Sequence, residues 1–507
     1  MVQSESLQIY WHDSHPIYSL CFQPVAETSQ NTRRLFTSGG DNKIRVWELN
    51  EKDDKIDTID FLSSLSQHEQ AVNVCRFNNQ GDILATAGDD GLLLLWKRNE
   101  TMVKDFGVDE DEFQDYKESW AVWKRLRSGS ASNAEIYDIS WNPQGTCIAI
   151  ASLDNSVRVF DVAQGKVVGH ISEHNHYVQG IVWDPQGEFV ISQSADRSLV
   201  ICNLIYEDNE IKGLQLVNKI LKAELPRRIK PGEKELDFEK MKVTFLFHNE
   251  TLPSFFRRPC MSPCGSILCV PAGVFRNDEQ TEAVNNNPEY ANAVYIYTRA
   301  SLTSNLNKPV FSLPFLQKPA LVVKFNPLMY EKASTWVLLP YTLVFAVATT
   351  NEVLVYDTNN TSPIVVIGNL HYTPITDLAW SQDGKLLMIS SADGFCSYIN
   401  FPDNDFGSPL TDQSIPKIQQ YLEKKPPSSK NASSDKLNDT TVIIDSTAVA
   451  TGTANVPNPS PTTTPTKRSI SQLVSAAANN VGKEKLKRRV QPTLVTSEQP
   501  DEDHANT

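Results

Sequence analysis

The chain repeats itself. SLCFQP (19–24), NVCRFNNQG (73–81), DISWNPQG (138–145), GIVWDPQG (180–187), RPCMSPCG (258–265), VVKFNP (322–327) and DLAWSQDG (377–384) each put a short strand, usually ending in an aromatic, before a turn. The turns are explicit in Asn142-Pro143-Gln144-Gly145, Asp184-Pro185-Gln186-Gly187 and Ser262-Pro263-Cys264-Gly265. A type I turn favours Asn, Asp or Ser first, Pro second and Gly fourth. After most of them comes a second apolar strand, a tight Asp-bearing turn and a third strand, as in RLFTSGGDNKIRVW (34–47), ILATAGDDGLLLLW (83–96), CIAIASLDNSVRVF (147–160), FVISQSADRSLVIC (189–202) and LLMISSADGFCSYI (386–399). Seven copies can be counted, the fifth and sixth degraded. At 507 residues the chain is too long for one core, which stops growing at roughly 250–300 residues, so small cores set side by side are expected.

Asp followed six residues later by Trp or another large apolar group resembles the WD40 repeat. His68, Thr86, Asp90 and Trp96 stand where that family places its blade-stabilising hydrogen-bond tetrad. His174 and His371 lie nine residues before Trp183 and Trp380, as His68 lies nine before Phe77. That shared spacing makes them structural histidines rather than metal ligands or bases. The fold class implied is all-β: a seven-bladed WD40 β-propeller over 1–410, which leaves only short protected edges. LQIYW (7–11), with Leu7, Ile9 and Trp11 inward, is expected to be the strand that completes the last blade.

A net charge of −14 argues against general nucleic-acid binding and favours a basic partner. The eight cysteines form no CxxC pair and mostly sit in strand-like runs, so they read as reduced core thiols, and Cys260, Cys264 and Cys269 are too widely spaced for a zinc set. No signal peptide is apparent. WVLLPYTLVFAVA (336–348), the longest apolar stretch, contains a proline and falls short of the roughly 20 residues a bilayer requires, so a soluble protein with no membrane contact is expected. No nucleophile elbow, P-loop, zincin helix or dinucleotide-binding glycine turn is present. Asp41, Asp90, Asp154, Asp196 and Asp393 recur once per blade as turn formers. The expectation is a protein that is not an enzyme and has no metal or cofactor.

Two insertions stand out. DFGVDEDEFQDYKE (105–118) reads as an acidic insertion between blades two and three, either a solvated loop or a contact for basic surfaces. FFRR (255–258) combines residue types common at interface hot spots. Its phenylalanines also suit blade core, with Arg257 and Arg258 capping the edge.

Beyond 410, residues 411–425 are compatible with a short helix. The stretch 426–507 is read as a disordered tail, because its Ser, Thr, Asn and Pro bury too little to offset the entropy of ordering. Within it KEKLKRRVQPTLV (483–495) is basic and β-prone. Lys467 and Arg468, a sixteen-residue spacer, then Lys485, Lys487, Arg488 and Arg489 read as a two-part nuclear import signal. Thr464, before Pro465, has the form of a proline-directed phosphorylation site, which would add about 1.5–2 negative charges.

The long segments 66–97, 118–141, 244–266, 339–358 and 390–410 closely resemble the middle, WD40 subunit family of chromatin assembly factor 1, in a fungal version. The resemblance implies a nuclear, three-subunit histone chaperone that deposits histones H3–H4 on newly replicated or repaired DNA. Its partners would be the large and small subunits and the histones, held directly or through the complex, with no sequence-specific DNA binding. KLKRRVQPTLV (485–495) resembles the B-domain motif by which this family recruits the anti-silencing function 1 (Asf1-type) histone chaperone. Arg488 and Arg489 match its basic pair, Val490 its β-branched residue, Pro492 its proline and Leu494 its apolar anchor. An extended segment of this kind can add a strand to a partner's sheet edge. The HIRA-like replication-independent chaperone shares the motif but continues into a large second domain. A ubiquitin-ligase receptor would place Asp after the blade Trp, where Glu48 follows Trp47 and Lys97 follows Trp96.

Overall fold

In a computed structural model of the protein the described residues run from 2 to 410, omitting 25–31, 53–54, 105–107, 109, 130–133, 209, 229–235, 277–289, 305–306, 333–338 and 404. The proposed helix at 411–425 and every tail motif lie outside them.

The turn chemistry sets the architecture. Gly81, Gly145, Gly187, Gly265 and Gly384 all adopt φ between 70° and 77°, and each amide donates to the carbonyl three residues back. The first turn residue earns its identity too: Asn142 Oδ1 accepts the amides of Thr146 and Cys147, both at 2.8 Å. These turns fold the repeats into seven four-stranded antiparallel sheets, a seven-bladed propeller. Blade two is typical, with strands Val72–Phe77, Leu84–Gly88, Leu92–Arg98 and Trp120–Arg127 running from the axis outward. The apolar stretch around 341–349 is the strand Tyr341–Thr349 of blade six, buried along its whole length. No helix among the described residues is long and apolar enough to cross a membrane.

The cores lie between blades. Phe36, Val46 and Leu65 of blade one pack with Val72, Leu84 and Trp96 of blade two, so a blade completes its neighbour's interior and cannot be removed alone. Closure follows the expected logic with a shifted strand. The fourth strand of blade seven is Gln3–Leu7, paired with Cys396–Asn400, and not 7–11. Residues 8–11 turn away from the sheet, with the amides of Ile9 and Trp11 each donating to the carbonyl two residues back. Leu7, Ile9 and Trp11 are nevertheless buried as expected, in the core between blades seven and one.

The acidic insertion also needs correcting. It lies inside blade two, between its third and fourth strands, because Trp120–Arg127 pairs with Leu92–Arg98. It is a strap over blade one. The Lys117 amide donates to the Leu62 carbonyl at 2.8 Å, Tyr116 meets Phe61 edge-on, and Lys43 pairs with Glu112. The bond at Leu62 falls on the outer strand Lys55–Leu65, an edge that would otherwise be open to pairing. An unanticipated hairpin, Lys222–Arg228 with Leu236–Phe245, stands between blades four and five and buries Ala223 and Leu225 in their shared core.

Candidate functional site

Antiparallel strands alternate in direction, so the links between blades and the Asp turns open on one rim. The tetrads hold that rim together. In blade two Trp96 Nε1 donates to Thr86 Oγ1 at 2.8 Å, His68 Nε2 lies 2.8 Å from the same hydroxyl, and His68 Nδ1 lies 2.7 Å from Asp90. With its oxygen already accepting from the indole, the Thr86 hydroxyl donates to Nε2, and the proton on Nδ1 goes to Asp90. Burial pushes the Asp90 carboxyl up, but His68 outweighs it and holds the group below its usual range. Both ring nitrogens are engaged, which leaves neither for a metal or a transferred proton.

Blade one carries a second full tetrad that the spacing rule passes over. His12 bonds Thr37 at 2.8 Å and Asp41 at 2.7 Å, and Trp47 donates to Thr37 at 2.9 Å. Nine residues after His12 stands Cys21, not an aromatic, but Thr37, Asp41 and Trp47 have the offsets of Thr86, Asp90 and Trp96 and demand a histidine. Blades four and seven vary the theme. His174 bonds Ser192 and Ser198, both at 2.8 Å, with Cys202 in the Trp position. In blade seven Ile389 replaces the hydroxyl residue, and His371 turns to Ser397 at 2.7 Å while keeping Asp393 at 3.1 Å.

The axis holds what sequence reading placed wrongly. Arg257 and Arg258 do not cap an edge; they are 0% and 1% exposed. Arg258 lies two residues before the inner strand of blade five, Cys260–Met261, is bridged to Val322 of blade six, and crosses the axis. It donates to the carbonyls of Tyr18 (blade one, 3.1 Å), Asn73 (blade two, 2.8 Å) and Thr376 (blade seven, 2.9 Å), and lies 3.1 Å from Asp377 and 3.5 Å from Asp138. Arg76 joins Asp377 at 2.8 Å, and Ser19 donates to it at 2.7 Å. Burial alone would raise the Asp377 carboxyl, but Arg258, Arg76 and Lys324 hold it far below its usual range. Arg257 donates to the carbonyls of His248 and Asn249. Above them Phe256 stacks on Arg258, 4.1 Å from ring centre to guanidinium, and Phe255 is half-buried beside it. The segment 246–259 is therefore a plug. Its backbone comes so close to blade four that a Cβ on Gly180 would stand 1.8 Å from the Arg257 oxygen.

All eight cysteines are free, and seven are buried. Cys260 and Cys269 face one another across two strands, and Cys264 sits in the turn between them. No group of three or more His, Cys, Asp or Glu among the described residues is placed to hold a metal ion. Arg488, Arg489, Val490, Pro492 and Leu494, the basic residues Lys467, Arg468, Lys485 and Lys487, and Thr464 lie outside the described residues.

The family model described as the CAF1B/HIR1 beta-propeller domain matches residues 3–406, the span from the closing strand to the end of blade seven. The chain belongs to the CAF1B/HIR1 β-propeller family. Within it, the B-type subunit of chromatin assembly factor 1 from Saccharomyces cerevisiae is 49% identical over 431 residues, covering 80% of this chain and 88% of that protein. The Schizosaccharomyces pombe protein of the same name is 36% identical, over 80% and 89%. Protein HIR1 of Kluyveromyces lactis is 26% identical, and the match covers 81% of this chain but 44% of that protein. The resemblance to fungal WD40 subunits of chromatin assembly factor 1 holds. CAF1B/HIR1 propellers are WD40 scaffolds, and the engaged histidines and the plugged axis of this one suit a molecule that works through its surfaces.

Proposed function

We propose that this chain is a non-enzymatic scaffold subunit of a nuclear chromatin assembly complex that deposits histones H3–H4 on DNA during replication and repair. One observation carries the reading: 49% identity to the B-type chromatin assembly factor 1 protein of Saccharomyces cerevisiae along 88% of its length. The seven blades supply rigid faces for the large subunit and, directly or through it, for histones. The segment 485–495 docks an Asf1-type histone chaperone by adding a strand, with Arg488 and Arg489 offered to partner carboxylates and Val490, Pro492 and Leu494 seated alongside. Lys467, Arg468, Lys485 and Lys487 serve nuclear import with the same arginines, and Thr464 is a phosphorylation site that would weaken this basic region.

Purification of the tagged full-length chain, with its companions identified by mass spectrometry, tests the assignment. Recovery of the large and small chromatin assembly factor subunits is expected. A second reading, membership of a HIR1-type complex, is favoured by the shared family model and disfavoured by the lower identity. Recovery of HIR1-type companions in place of chromatin assembly factor subunits would overturn the first reading in its favour.

A further inference from the structure

On the tetrad rim, the plug meets the inner strands in a layer of aromatic rings. Tyr18, Ala71, Tyr137 and Phe256 are buried in it, while Leu153, Tyr177 and Phe255 lie half-buried above. Tyr18 packs 6.0 Å from Phe256 and Tyr137 5.9 Å from Tyr177, so rings from three blades and the plug share one cluster. Ring faces carry negative charge density and attract cations.

Asp89 borders this layer from the turn of blade two. It is 6% exposed and accepts a hydrogen bond from Asn73 Nδ2 at 2.7 Å. No Lys, Arg or His among the described residues pairs with it. Burial pushes its carboxyl up to about 6, against the pull of Asn73 and with a further push from Asp90. The Asp89 amide donates to the carbonyl of Ala71, a member of the layer, at 3.0 Å, which fixes this turn against it. Tyr18 and Tyr137 are both raised mainly by burial, with the Asp89 charge adding at Tyr18 and Glu135, then Asp89, adding at Tyr137. The same Asn73 amide has its Oδ1 buried with no donor. A carboxylate buried without a counter-ion, and an acceptor lacking a donor, are costly unless something supplies both.

We propose that this mouth binds a cationic side chain, lysine or arginine, projected by a basic polypeptide segment of a partner, with Asp89 as its counter-charge and Phe255 and Tyr177 as its walls. A guanidinium or ammonium brings donors for the carboxylate and a charge for the ring faces. The chain's net charge of −14 draws such a segment in. The site is separate from the tail and does not depend on which complex the protein joins.

The test uses the full chain and a fluorescein-labelled dodecapeptide of Arg, Ala and Ser, beside a peptide with every Arg replaced by Gln, read by fluorescence anisotropy at physiological salt. The Arg peptide binds and the Gln peptide does not. Asp89→Asn and Phe255→Ala each weaken binding by about tenfold, the loss expected for one charged hydrogen bond or ring contact, whereas Glu100→Gln on the opposite rim changes it by less than about twofold. Melting curves confirm that the variants are folded. Should Asp89→Asn melt early, Phe255→Ala carries the test. Equal weakening by Glu100→Gln would reduce the effect to diffuse attraction and overturn the proposal. So would unchanged binding by folded Asp89→Asn or Phe255→Ala, or no binding of the Arg peptide.

Discussion

Arg258 and Asp377 come from segments more than a hundred residues apart and meet where the inner strands converge. A buried pair of this kind is weak evidence of net stabilisation, but breaking it leaves an uncompensated charge and costs about 3–5 kcal/mol. Asp377→Asn should therefore lower the free energy of unfolding at neutral pH by about that amount, measured by urea denaturation. The pH dependence has a definite sign. The folded-state pKa of Asp377 is depressed, so its contribution is complete above the ordinary carboxylate value of about 4 and is lost as the pH falls toward the folded-state value. The variant should accordingly show a shallower loss of stability in acid than the wild type. At Gly180 the chain tolerates no Cβ beside Arg257, and Gly180→Ala should cost on the order of 2–3 kcal/mol by the same measurement. At this scale the sequence was legible where residue offsets are local. His68, Thr86, Asp90 and Trp96 bond to one another at the positions the WD40 resemblance gives them, whereas Arg257 and Arg258 read as edge residues because charge normally seeks water and nothing nearby in sequence announces Asp377.

Single elements close or protect the ring. The strand Gln3–Leu7 brings with it Leu7, Ile9 and Trp11, and Trp11 packs edge-on to Trp47 at 4.9 Å. Burying three such side chains is worth about 1.5–3 kcal/mol each, so removing residues 1–12 should destabilise the propeller by at least several kcal/mol and lower its melting temperature in calorimetry. An unchanged melting temperature would count against this seam as the closure. The strap over blade one is held by Tyr116 and by Glu118, which pairs with Arg34 and Arg98. Tyr116→Ala should loosen it, seen as faster hydrogen exchange in the outer strand Lys55–Leu65 while the other blades keep their protection. The first three strands of the first four blades and of the seventh were legible because turn residues punctuate them. The acidic insertion was set between blades two and three because it separates the fourth strand of blade two from the third. The hairpin at 222–245 carries no turn residues in the repeat's pattern, so its place became clear only from the two blades it packs between.

The described residues form a ring of seven blades whose axis is filled by the segment 246–259. Seven repeats, and a basic patch after a Ser/Thr-rich stretch, lead to the expectation of a folded body followed by a tail, and only the repeats fall within the described residues. The carboxylate beside the aromatic layer was not legible, because Asp89 precedes the tetrad Asp90 in the same turn and its bond to Ala71 of that layer exists only in the fold. If the proposed tail motif acts independently of the propeller, removing its charge should leave the propeller intact. The direct test is capture from nuclear extract by the tagged full-length chain and by its Arg488→Ala/Arg489→Ala variant, quantified for the large chromatin assembly factor subunit and for the Asf1-type chaperone. The account predicts that the variant retains the large subunit and loses nearly all of the chaperone, with no change in melting temperature. Retention of both, or loss of both from a propeller that melts normally, would contradict it.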